Sequence, residues 1–202
     1  MERDVSVAQV KQVKSRRAGR EAAFVGVYEM LVGHGTAEHC IRDILNRDHF
    51  APDIAAWIGM IITGVRDHGR EIDDLISQHL AKGWTVERIA ITDRCALAVA
   101  VFELLYDPKM PPKVSINEAV NLAKRYGVPE NGKFVNGLLG KLVQRTAKAN
   151  WNPADQEVYP VDAEPEPVAE PVFETDDEKE AYEEQTMTMP WVLSTPKEQP
   201  LE

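Results

Sequence analysis

Cysteine is nearly missing from this chain. Only Cys40 and Cys95 occur among 202 residues, too few for the disulfide framework of a small secreted domain, and with no secretory leader in view the expectation is free thiols in a reducing, cytoplasmic setting. No apolar run approaches the roughly 20 residues that cross a bilayer, so no membrane span is expected. Alternating strand patterns are missing too, and no Asn-Gly turn joins two strand-like runs, which argues against a sheet. Catalytic signatures fail in the same way, because the chain has no nucleophile motif, no phosphate-cradling glycine loop and no dinucleotide fingerprint. His34, His39, Cys40 and His49 cluster in sequence, but their spacing matches neither Cys-x-x-Cys nor His-Glu-x-x-His. No metal, cofactor or catalytic residue is therefore assigned, and an enzyme is not expected.

Basic residues almost vanish from the last quarter of the chain. Residues 153–202 hold 15 of the 33 acids but only 2 of the 23 bases, so the formal charge of -10 divides into about +3 over the body and about -13 beyond it. Eight of the 13 prolines lie after Asn150, and large aliphatic residues are scarce there, so burial cannot offset ordering and residues 151–202 are expected to form a disordered acidic tail. Its one apolar island, Met187 to Leu193, reads as an unused cluster rather than a docking peptide. Residues 1–14 are polar with scattered valines and read as a flexible arm.

Between these ends, residues 15–150 read as an all-α domain of seven helices. Ala23, Phe24, Val27, Tyr28 and Leu31 form the first apolar stripe, ending at Gly33, and Thr36 caps a second helix that buries Ile41, Ile44 and Leu45. Pro52 opens a third, with Ile54, Trp57, Ile58, Ile61, Ile62 and Val65 at helical spacing and Gly69 closing it. Ile72, Leu75, Ile76 and Leu80 mark the fourth, with Gly83 placed for a left-handed cap. After a short connector, Thr92 is expected to cap a helix from Asp93 to Tyr106 whose nearly continuous apolar surface suits the centre of the fold. Ser115 and Glu118 have capping-box spacing and predict a sixth helix starting near Ser115 and ending at Gly127. Phe134, Val135, Leu138, Leu139, Leu142 and Val143 mark the seventh, inside which Gly137 and Gly140 are expected to permit close packing.

The sixth and seventh helices carry Lys-Val-Ser-Ile-Asn-Glu-Ala (Lys113 to Ala119) and Lys-Phe-Val-Asn-Gly (Lys133 to Gly137). These two blocks, at this separation, closely resemble the NusB family of bacterial transcription antitermination factors. The resemblance implies an N-terminal three-helix bundle packed on a C-terminal bundle of four. It also implies a role in which the protein, with the ribosomal protein NusE, binds boxA-like single-stranded RNA and helps the RNA polymerase elongation complex read through terminators during ribosomal RNA synthesis.

The candidate site residues follow from chemistry and from that resemblance together. Arg16, Arg17 and Arg20, backed by Lys11 and Lys14, form a basic cluster at a helix N-terminus, where positive charge opposes the macrodipole and so invites a functional reason. The resemblance assigns these arginines to RNA, with Ala18 standing where relatives can carry a further Arg. Phe134 has core spacing, yet beside Lys133 and the helix start at Glu130 it is also placed to stack on an unpaired base while Lys133 meets phosphate. Glu130 would tune that contact down. Asp93 suits a helix N-terminus electrostatically, and the resemblance adds Asp93 and Tyr28 as contacts for NusE. Two other classes stand beside this reading. One is the NusB-like accessory domain of RNA cytosine methyltransferases, for whose catalytic part this chain has no room, and the other is a purely protein-binding helical module.

Overall fold

The computed structural model describes residues 12–33, 35–152, 154 and 159, all within one compact unit. Lys11, His34 and the expected apolar island at Met187 to Leu193 lie outside the described residues. Seven α-helices form: α1 (Arg16–Leu31), α2 (Ala37–Arg47), α3 (Pro52–Asp67), α4 (Gly69–Ser77), α5 (Ile91–Tyr106), α6 (Pro112–Tyr126) and α7 (Asn131–Leu142), with short 3-10 turns at Val86–Arg88, Val143–Arg145 and Ala147–Asn150. Among the described residues no strand forms, but Val13 makes an isolated bridge to Phe50, so chain order begins before α1.

Helices α1, α2 and α3 pack on one another, as do α4 to α7, and α5 joins the two groups by touching α1 and α3 on one side and α4, α6 and α7 on the other. Its sequence explains that place. From Cys95 to Leu104 every residue is buried, which an amphipathic surface helix could not tolerate. Close approach is built in at Gly64 and Gly26, where a β-carbon would collide with Phe102 and with Ile44 and Ile62 respectively. Gly137 and Gly140 do not serve this purpose, because both face open space.

Several expected helix boundaries move; the fourth helix ends at Ser77, which leaves Leu80 and Gly83 in the loop beyond it. The sixth helix begins at Pro112, not Ser115, because proline at the first helical position needs no amide partner; Ser115 is consequently buried one turn inside. Ile91 starts α5 with Ala90 as cap, so Thr92 lies within the helix rather than before it. At the α3–α4 junction His68 serves both helices and Gly69 opens the second instead of closing the first. Ser15 and Thr36 do cap α1 and α2 with their side-chain oxygens.

Among the described residues no group of three or more His, Cys, Asp or Glu is arranged to hold a metal ion. No described helix is long and apolar enough to cross a membrane.

Candidate nucleic-acid interface

The three arginines of α1 do not share one surface. Helical geometry turns Arg17 about 100° from Arg16, while Arg20, one turn on, reaches toward both: like Arg16 it lies 5.1 Å from the centre of Trp57, and like Arg17 it approaches Glu118, at 4.0 Å. Arg17 is half-exposed and lies 3.5 Å from Glu118 on α6. Arg16 lies between two rings, 3.6 Å from the centre of Tyr159 and 5.1 Å from that of Trp57, with Asp53 at 3.7 Å. Arg20 is buried: its Nε donates to Glu103 Oε1 at 2.6 Å and its Nη2 approaches the Met110 sulfur. Its expected place in an exposed basic cluster is corrected, since a charge in the core must be paired there. Desolvation pushes the Glu103 carboxyl up, and Arg20 opposes that shift.

Arg17 instead opens onto a shallow groove of about 270 Å³ between α1 and α6, where Lys124, Arg125 and Asn121 join it. Arg125 pairs with Glu21 at 3.0 Å, and Tyr126 donates its hydroxyl hydrogen to the same carboxylate. In the sequence Lys124 and Arg125 stand off the apolar stripe of the sixth helix and carry no signal of a site; both lie in the last turn of α6.

A second groove, about 490 Å³, lies where the loop after α4 and the start of α5 meet the start of α7. Phe134 lines it and is 37% exposed, although Val135, Leu138, Leu139 and Leu142 of the same stripe are buried. Core spacing alone would have hidden this ring. Lys133 and Glu130 are exposed but do not line it, Lys133 being the residue before Phe134 on α7 and Glu130 the residue preceding that helix. Also lining the groove are Trp84, which is 51% exposed, and Arg88, whose guanidinium lies 5.0 Å from the centre of the indole ring. Sequence reasoning passed over both, though their spacing of four residues was visible.

Asp93 reaches this groove with a buried carboxylate. Asn131 Nδ2 donates to its Oδ2 at 2.5 Å, and burial pushes its pKa up to about 6 despite that bond. Tyr28 is half-buried against the core. Of the two expected protein-contact residues, Asp93 thus presents little free polar surface.

The opposite end of α5 is closed by residues from beyond the seventh helix. Lys148 is buried and donates from Nζ to the carbonyls of Glu103 at 2.8 Å, Asp107 at 2.5 Å and Met110 at 2.6 Å, which places a cation on the negative end of the helix. Burial pushes its pKa down. Trp57 Nε1 donates to Asp107 Oδ2 at 2.9 Å, and Tyr159 meets Trp57 edge-on, so this corner also supports Arg16.

Comparison with known proteins gives a consistent result. A sequence model described as the NusB family matches residues 17–144. The transcription antitermination protein NusB of Lacticaseibacillus paracasei is 33% identical over 138 residues, covering 68% of this chain and all of that protein. A crystal form of NusB from T. maritima superposes with a TM-score of 0.63 at 31% identity, covering 69% of this chain and 97% of the other. A crystal structure of the antitermination factors NusB and NusE in complex with dsRNA superposes with a TM-score of 0.59 at 25% identity, over 64% of this chain and 96% of that one.

Proposed function

Because this chain belongs to the NusB family of transcription antitermination proteins, we propose that it is a non-enzymatic RNA-binding adaptor that joins NusE on boxA-like single-stranded RNA. In that role it accompanies the RNA polymerase elongation complex during ribosomal RNA synthesis, in the cytoplasm. The observation that carries the reading is Phe134, an aromatic ring at a core-spaced position that stands in an open groove, with the exposed Lys133 next to it in sequence. Such a pair offers stacking to a base and charge to a phosphate.

Arg17 extends the phosphate path along α1, and Arg16 joins it where the Tyr159 ring moves aside. Arg20 acts from within, by fixing the helix that carries the other two. Glu130 weakens phosphate approach at the start of α7. For NusE, Tyr28 and the turn at Asp93 form the contact surface, with Asp93 holding its shape rather than offering a free charge. The solved complex of related NusB and NusE with dsRNA supports both partner classes.

Filter binding of the full chain to a labelled boxA-like oligonucleotide, with and without NusE at several salt concentrations, tests this. Binding should tighten with NusE and weaken as salt rises, because phosphate contacts release counterions. No detectable binding at low salt in the presence of NusE would defeat the proposal.

A further inference from the structure

The groove beside Phe134 contains a second ring that the reading above leaves unused. Trp84 projects from the loop after α4, where Gly83 adopts a φ of +85° that a residue with a side chain rarely takes. Arg88 fixes the indole by lying over it, and Arg88 Nη1 donates to the Gly83 carbonyl at 3.2 Å. The residue as a whole remains half-exposed. A rigid, exposed aromatic held under a guanidinium is a stacking platform with its phosphate partner attached.

Asn131 supplies a polar edge to the same groove. Asn131 Nδ2 donates to Asp93 Oδ2, so the NH2 end of the Asn131 amide faces the carboxyl group. The amide oxygen at the other end of that group is thereby turned away from the carboxylate and kept as an acceptor. Asp93, the groove's carboxylate, is buried, so it does not confront incoming phosphate.

We propose that this groove clamps one unpaired base of single-stranded RNA. Trp84 and Phe134 provide the stacking surfaces, Arg88 and Lys133 meet the flanking phosphates, and Asn131 accepts from an exocyclic amine, favouring cytosine over uracil. The clamp rests on the RNA-binding reading and adds to it a base-selecting subsite, with Asp93 as the residue that positions Asn131. The cations favour RNA over an apolar peptide as the occupant.

Fluorescence anisotropy of the full chain with short labelled oligocytidylate and oligouridylate, at low and moderate salt, separates the two ideas. Trp84→Ala should weaken both oligonucleotides about 5- to 150-fold, the range that corresponds to one stacked base, without changing the salt slope. Trp84→Phe should restore most of that loss, and Asn131→Ala should erase the preference for cytidylate. Wild-type affinity in Trp84→Ala, or loss of NusE binding with oligonucleotide binding intact, would overturn the clamp alone. Failure of the wild-type chain to bind either oligonucleotide at low salt would remove the RNA reading together with the clamp.

Discussion

Arg20 and Glu103, 83 residues apart in sequence, meet at 2.6 Å with neither side chain more than 3% exposed. This pair ties α1 to the central helix and converts an apparent RNA-binding arginine into a structural one. Removing one partner leaves a charge without water or counter-charge, which is far costlier than losing a surface pair.

Arg20→Ala should therefore lower unfolding free energy by about 3–5 kcal/mol in urea titrations. Pairing it with Glu103→Leu should recover a substantial part, because an apolar replacement removes the orphaned charge. Arg17→Ala, half-exposed, should cost less than about 1 kcal/mol. Equal destabilisation by the two arginine variants would contradict the burial difference.

Asp93 should make stability depend on pH. Its folded-state pKa is about 6 against an ordinary value of 3.8, so between those values the folded protein holds a proton that the unfolded chain has released. Stability should then fall as pH rises from about 4 to about 6, by up to about 3 kcal/mol from this group. Asp93→Asn should flatten that portion of the profile, read as the difference between wild-type and variant denaturation at matched pH. A difference that stays constant across the window would refute the assignment.

Lys148→Met keeps most of the stem's apolar contact while deleting the ammonium that serves three carbonyls. The loss should be about 2–4 kcal/mol, since buried acceptors left without donors carry their full desolvation penalty. Thermal melts compared with Lys141→Met, an exposed lysine on α7, provide the control and should show little change there.

On the RNA surface, Lys133→Ala should reduce the salt slope of single-strand binding by about 0.7, one phosphate's share. Phe134→Ala should lower affinity by about 1–3 kcal/mol with the slope retained, because stacking releases no counterions. The two variants, measured by anisotropy over a salt series, must differ in this way. Matching slopes would mean that Lys133 touches no phosphate.

Tyr159 lies over Arg16 at 3.6 Å, on the acidic side of the chain's charge division. Tyr159→Ala should raise RNA affinity a few-fold at low salt while lowering the melting temperature slightly. Unchanged low-salt affinity would show that the ring is only a support for Trp57 and Arg16.

The seven helices were legible because apolar periodicity over 10 or more residues reports burial directly. Local signals placed their starts less well. Ser115 and Glu118 have capping-box spacing, but Pro112 nucleates the helix a turn earlier and Ser115 ends up buried. The candidate site was read unevenly for a related reason. Lys133 and Phe134 are neighbours in sequence and in space, whereas the partner that buries Arg20 lies 83 residues away, beyond any local pattern. Trp84 and Arg88 fall in a connector without helical periodicity, where a four-residue spacing carries little weight by itself.

The Lys148 cap also bears on the order in which the chain emerges during synthesis. The carbonyls it closes belong to Glu103, Asp107 and Met110, made some 38 to 45 residues earlier. A nascent chain ending at α7 carries every helix yet keeps the end of its central one open to water. The turn at Ala147–Asn150 is therefore the piece of chain that closes the central helix, and a chain cut before residue 148 should carry all seven helices while those three carbonyls lack the ammonium donor.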